Sequence, residues 1–352
     1  MSARARTMLA AAWCCALARC ASPASTPTPA REAGADVAPV DAISPTDTAD
    51  AARAPGAFTG FITRGTGTVS AACGAAATCA PGAVAADRAT TCGTLTEGGV
   101  TFPLPAPIAE GSPADNVYDT CTAGGDVPEV ASRLVTRVID ADGEVVTGYL
   151  FADNYFELSV NGRYVARDSL GFTPFNTAAV RFQARYPMTI AVRLVDWEGY
   201  LGVGLESRGG AYHVGDGGFI ATFSNGVATD ATWRCRPEYI APLDDAGCLG
   251  EDADGNVDSS RCPSTDATIR CLTNSPERNC LAAHAALPVD WAAPAYDASR
   301  WTAASLFDAA RVTNDPAYTR YAATLFARGR FIWTRNLDLD NHIVCRVTVP
   351  RP

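Results

Sequence analysis

Hydrophobic and polar residues alternate along much of this chain, most clearly between residues 149 and 206. Phe156, Leu158 and Val160 alternate with Glu157, Ser159 and Asn161, the period-2 pattern of a half-buried strand. Asn161-Gly162 follows, and this dipeptide favours a type I′ hairpin turn, which needs positive φ at both central residues. Such a turn pairs Val160 with Arg163 and sets Leu158 opposite Val165. Met188, Ile190, Val192 and Leu194 alternate again, and the same spacing recurs at Leu201, Val203 and Leu205. Helical spacing is absent across the region. The pattern predicts antiparallel sheet with one face on a core.

Other stretches extend the sheet. Residues 133–140 alternate and run into the Asp142-Gly143 turn; residues 217–233 carry a second hairpin dipeptide, Asn225-Gly226; residues 330–335 and 339–348 supply closing strands. Residues 305–326 have some helix-like apolar spacing, limited by Pro316. The expected fold is all-β: an antiparallel jelly-roll β-sandwich over 128–352, with a polar, Cys-rich insertion at 236–290. Before it come a targeting segment at 1–20, an Ala/Pro/Ser/Thr-rich tether at 21–57 that is expected to be disordered, and a small disulfide-stapled region at 58–127.

Arg4 and Arg6 precede an apolar run from Met8 to Ala18, which has the length of a signal peptide and is too short to span a bilayer. Leu17-Ala18-Arg19-Cys20 resembles the lipobox of bacterial lipoproteins, which would lipidate Cys20; the other reading is plain cleavage near Ala21 or Ala24. Either way the protein is expected to be exported, to the cell envelope or beyond it, and no later segment reads as a transmembrane helix. Outside the leader stand Cys73, Cys79, Cys92, Cys121, Cys235, Cys248, Cys262, Cys271, Cys280 and Cys345, an even set that suits disulfides in an oxidising compartment. Their clustering suggests bridges within 73–121 and within 235–280, with Cys345 tying the last strand to the second cluster.

A formal net charge of −10 argues against nucleic acid as a partner, since the phosphate backbone attracts a basic surface. The chain has no Lys, which excludes a Schiff-base lysine and a phosphate-binding loop of the Walker type. His213, His284 and His342 lie in no metalloprotease pattern, and no serine sits in a nucleophile elbow. No catalytic constellation emerges.

The order of several motifs carries a resemblance. Asn161-Gly162, then Asp230 with Trp233, then Tyr296-Asp297-Ala298-Ser299-Arg300-Trp301 resembles the galactose-binding-like jelly roll, in particular the non-catalytic modules of bacterial α-rhamnosidases and related glycoside hydrolases. No helical catalytic barrel follows, so the resemblance implies a module that binds a carbohydrate or glycoconjugate. The competing expectation is a structural or adhesion module that meets an envelope or matrix protein. A sugar binder should present a concave aromatic patch with polar groups, an adhesion module a flat apolar one.

Two stretches are candidate sites. Asp196, Trp197, Glu198 and Tyr200 combine rings that stack on sugar faces with carboxylates that accept hydroxyl hydrogen bonds; the alternative is a Trp197 that caps the core beside solvated acids. Asp252, Asp254, Asn256 and Asp258 place oxygens at alternate positions, as Ca2+ requires, but alignment on Gly255 puts Gly250 and Arg261 at the terminal ligand positions of an EF-type loop. The alternative there is a solvated acidic loop.

Overall fold

The computed structural model describes residues 56–69, 94–103, 112–120, 124–170, 175–198, 202–208, 211–252, 254–273 and 279–351. Two sheets face each other. The first runs Phe61–Thr63, Leu281–His284, Arg234–Leu243, Asp340–Val349, Met188–Val195, Tyr155–Val160, Arg163–Arg167, with Thr302–Ala303 beside Arg234–Leu243. The second runs Ser305–Phe307, Phe331–Trp333, Gly218–Phe223, Glu144–Asp153, Asn176–Ala184, Asp115–Asp119. Neighbours pair antiparallel, except that Thr136–Val138 lies parallel to Asn176–Ala184. The fold is an all-β sandwich.

The hairpin forms as the alternation requires. Asn161 and Gly162 adopt φ of 49° and 74°, and Val160 pairs with Arg163. Leu158 faces Ala166 rather than Val165, because a bulge between Leu158 and Ser159 shifts the register by one residue. Between the sheets lies one apolar cluster that includes Phe151, Phe156, Phe182, Phe219, Trp233 and Trp333. Trp301 is also buried, on the other side of the first sheet, where Trp291 stacks on it at 6.5 Å.

Three expected strands shrink, each for a local reason. Pro128 opens a helix, Val127–Arg133, which leaves only Thr136–Val138 of the stretch 133–140 as strand. Gly202 and Gly204 adopt positive φ of 85° and 67°, so the chain turns at 202–204 instead of extending through Val203, and a short strand starts at Glu206. Beyond Asn225-Gly226 the return strand is reduced to a bridge between Thr222 and Ala228. In the stretch 305–326, Pro316 opens a single helical turn, Pro316–Thr319, capped by Asp315.

The boundaries expected at 127/128 and at 236 and 290 do not coincide with the sheets. Phe61–Thr63 and Asp115–Asp119 are strands of the sandwich although they lie within 58–127. Arg234–Leu243 and Leu281–His284 are sheet as well, so the excursion spans 244–280. It packs Leu249, Ile269 and Leu272 onto Val203, Leu205 and Leu243. Disulfides Cys248–Cys262 and Cys271–Cys280 close two short loops inside it, and Cys235–Cys345 joins directly opposed residues of neighbouring strands. The leader with Cys20, the tether up to residue 55, and Cys73, Cys79, Cys92 and Cys121 lie outside the described residues. Among the described residues no helix is long and apolar enough to cross a membrane.

Candidate functional site

The structure turns the carboxylates of the stretch 196–200 inward. Asp196 continues the core-facing series Ile190, Val192, Leu194 by one step, is fully buried, and donates its backbone N–H to the Asn341 carbonyl at 2.8 Å. Glu198 is buried too, and its Oε2 accepts from the Gly202 N–H at 2.8 Å. Burial pushes the Glu198 carboxyl up to about 7, against the opposing pull of the Tyr239 hydroxyl and nearby backbone N–H groups. Asp196 is driven well above the usual carboxylate range, by burial first and then by Glu206, Asp153, Asp216 and Glu198. Trp197 is half-buried, with its backbone N–H donating to Asn154 Oδ1 at 2.7 Å. Neither acid meets an open rim, so the expected sugar site does not form from Asp196 and Glu198. Tyr200 lies outside the described residues.

The acidic loop spends its oxygens on itself. Asp252 Oδ1 accepts from the Asp254 and Asn256 N–H groups and Oδ2 from Asn256 Nδ2, all at 2.9 Å. Asp254 lies 3.8 Å from Arg300 and Asp258 3.0 Å from Arg335. Its own hydrogen bonds and Arg335 hold Asp258 below its ordinary pKa although burial opposes them. Among the described residues no group of three or more His, Cys, Asp or Glu is arranged to hold a metal ion. The loop expected to take calcium closes as a turn on Asp252, with Asp254 and Asp258 facing arginines and Asn256 Oδ1 buried without a hydrogen-bond partner.

A different site appears against the first sheet, assembled from six distant parts of the chain. A pocket of about 370 Å3 is lined by Phe61, Phe102, Tyr239 and His284 on its aromatic side and by Arg193, Glu238 and His342 on its polar side. Pairing of Phe61–Thr63 with Leu281–His284 sets Phe61 opposite His284. The His284 ring stacks on Phe102 at 4.2 Å and meets the edge of Tyr239 at 5.1 Å, while Phe61 touches Phe102 edge-on at 5.4 Å. Thr63 Oγ1 lies 2.8 Å from His284 Nε2, which fixes the ring.

The polar side sets one guanidinium between two carboxyl groups, beside a histidine, with Arg193 Nε and His342 Nε2 buried and without a hydrogen bond. Arg193 sits directly opposite Glu157 on the neighbouring strand, with 3.9 Å between their charged atoms. A register shift between Pro237 and Tyr239 frees Glu238 from the ladder, and its Oε2 lies 3.1 Å from His342 Nε2. Burial pushes Glu238 up to about 7, with Arg193 and Arg236 pulling the other way. The same burial drops His284 to about 4 and takes His342 well below the ordinary histidine value, with Arg193 adding to the second shift. Near neutral pH both rings are therefore uncharged, and the pocket offers apolar faces, imidazole nitrogens, one carboxyl group and one guanidinium.

Sequence patterns could not assemble this set, since Phe61 and His284 are neighbours only through sheet pairing. A second, wider cleft of about 550 Å3 collects the motif residues Asp230, Tyr296 and Asp297 with Arg234 and Arg346. There the polar groups are already engaged: Asp230 with Thr232, Asp297 with the Ser299 N–H, and Arg346 with the Trp291 carbonyl. No protein-family model, no curated protein and no solved structure matches this chain.

Proposed function

We propose that this is an exported, non-catalytic carbohydrate- or glycoconjugate-binding protein, a module of the galactose-binding-like kind held at the envelope or released from it, and that its ligand occupies the Phe61–His284 pocket. One observation carries the reading: the pocket is concave, aromatic on one side and polar on the other. A pyranose has an apolar face that stacks on rings and an edge of hydroxyls that needs bidentate partners; Phe61 and Phe102 suit the first, Arg193, Glu238 and His342 the second. Its volume suits one or two sugar residues.

A glycan array with the oxidised, mature protein tests it. Selective binding that weakens at least about tenfold in Phe61→Ala, with an unchanged thermal midpoint, is the expected result. An array without any ligand, or binding indifferent to Phe61, would sink the reading. The alternative of an adhesion module is favoured by one feature, the exposed Val135, Val138 and Val145 at the edge of the second sheet. Loss of partner capture in Val138→Glu, with glycan binding intact, would separate that surface from the pocket.

A further inference from the structure

The three central strands of the first sheet, Arg234–Leu243, Asp340–Val349 and Met188–Val195, carry Arg234, Arg236, Arg346 and Arg193. Register puts all of them on the face turned away from the core. Arg234 lies directly opposite Arg346, and one row further along Arg236 and Arg193 both lie opposite Val344. The residues that alternate with them, Cys235, Cys345, Val192 and Leu194, belong to the core cluster. Like charges set side by side on a sheet destabilise it unless something of the other sign meets them. In a chain of net charge −10, these guanidinium groups gathered on one face are a local exception.

Within the protein that charge is met mostly by neutral oxygen. Arg234 Nη1 donates to the Trp301 carbonyl at 3.4 Å, Arg236 Nη2 to the Ala286 carbonyl at 3.5 Å and Arg346 Nη1 to the Trp291 carbonyl at 2.5 Å. These three arginines clamp the segment 286–301 across the face. Among the described residues only Arg193 of the set has a carboxylate within ion-pair reach, Glu157 at 3.9 Å. Glu238 acts on Arg193 and Arg236 from further off, and burial holds its carboxyl at about 7, so it is part-protonated at neutral pH. Arg193 Nε and Arg236 Nε are buried without a hydrogen bond, so donors outnumber acceptors. The Phe61–His284 pocket, lined by Arg193, abuts the start of the clamped segment at Ala286 and Leu287. The cleft of about 550 Å3, lined by Arg234 and Arg346, abuts its end at Tyr296 and Ser299. The acids of the cleft, Asp230 and Asp297, are exposed to water, whereas Arg346 is 3 % exposed. Burial draws the Arg346 guanidinium below its ordinary value, against the pull of Tyr296 and Asp297.

We propose that the glycan is acidic, and that its carboxylate or sulfate groups meet Arg193 in the pocket and Arg234 and Arg346 in the cleft. This rests on the glycan reading of the pocket and names the class of saccharide. A guanidinium fork matches the paired oxygens of a carboxylate or sulfate, and a carbonyl held at one nitrogen leaves the other N–H groups of the fork for them. An oligosaccharide with acidic residues in succession supplies charge at both openings.

The test uses the full oxidised chain in titration calorimetry with matched oligosaccharides: uronate-containing, the same sugars with their carboxyl groups reduced, and sulfated. The uronate or the sulfated set should bind at least about tenfold tighter than the reduced one, and should weaken at least about fivefold between about 50 and about 500 mM salt. Whichever of the two binds tighter supports the proposal and names the anionic group. Arg234→Gln should weaken acidic ligands at least about fivefold, while Asp297→Asn, at an exposed position, should strengthen them about twofold. Should Arg234→Gln fail to fold, the acidic and reduced sugars on wild-type protein and the Asp297→Asn variant decide the matter. Equal binding of acidic and reduced sugars, lost in Phe61→Ala, would overturn the acidic class and leave the pocket as a glycan site. No binding of any set would end both readings. Acidic binding indifferent to both Arg234→Gln and Asp297→Asn would overturn the place of the cleft in it.

Discussion

Arg193 and Asp196 stand three residues apart at the end of one central strand and meet opposite electrostatic surroundings. Around Arg193, buried charges alternate in sign: Glu157 and Glu238 flank the guanidinium, and the neutral His342 touches Glu238. Around Asp196 the strongest charges are all carboxylates. Burial is deeper around Asp196, which is 0 % exposed, than around Arg193, whose side chain is 25 % exposed, and the two places also differ in compensation. A protein interior tolerates charge where partners of the other sign come from the chain, and where like charges gather the balance comes from protons or from an ion. In the first region opposite charges come from the chain, and in the second burial and like charges favour the protonated form of Asp196.

The largest expected effect follows from breaking the compensated region. Arg193→Met leaves Glu157 and Glu238 in low dielectric without their guanidinium and should cost about 3 kcal/mol at neutral pH, read by urea unfolding in EDTA. Asp196→Asn removes one of several like charges and, under the same cation-free conditions, should cost under about 1 kcal/mol or stabilise. Equal losses in the two variants would erase the distinction between the regions.

Acid–base behaviour sharpens the comparison at the next level. Glu238 has a folded value of about 7, above its ordinary 4.5, so its contribution is full below pH 4.5 and is lost as pH rises through 7. His284 has a folded value of about 4, below its ordinary 6.5, so its contribution is full above pH 6.5 and is lost as pH falls through 4. The Glu238 slope opposes the His284 slope between pH 4.5 and 6.5, and His342, also lowered by burial, adds to the His284 side, so the pocket's stability rises with pH across this window. Glu238→Gln removes the opposing slope, and stability should then rise by at least about 2.5 kcal/mol between pH 4 and pH 6.5, the share of His284 alone, since each tenfold difference in proton affinity between folded and unfolded chain is worth about 1.4 kcal/mol. A flat profile in that variant would show that His284 is not held neutral by burial.

The two regions also differ in how much of them the sequence exposed. Alternation at 155–160 and 188–195 and the Asn161-Gly162 turn were enough to predict the central sheet, because a period of two with one apolar face admits few other structures. The same alternation placed Asp196 on the core face, one step past Leu194, yet the Trp197 and Tyr200 rings beside it suggested an open rim. Period was the better guide than residue type. The turn at 202–204 and the bulge at Leu158 were hidden, since positive φ at paired glycines and an extra residue in a strand leave no periodic trace. The pocket was wholly illegible: Phe61, Tyr239, His284 and His342 come from segments whose contact depends on the order of strands, which no local pattern encodes.

The smallest expected effect tests how much one hydrogen bond contributes to the pocket. Thr63 is buried, and its hydroxyl is the partner that His284 Nε2 meets at 2.8 Å. Thr63→Val keeps the shape of the side chain and removes that hydroxyl, so one imidazole nitrogen loses its hydrogen bond in an otherwise intact pocket. The cost should be about 1 kcal/mol, the usual net value of one such bond, in thermal or urea unfolding. Stacking of the ring on Phe102 at 4.2 Å does not depend on the hydroxyl, so glycan affinity should fall by less than in Phe61→Ala. A much larger loss of stability would mean that the histidine is held by this contact alone and that the aromatic stack follows from it. The compensated region would then share the weakness of its neighbour, one missing partner deciding the whole arrangement.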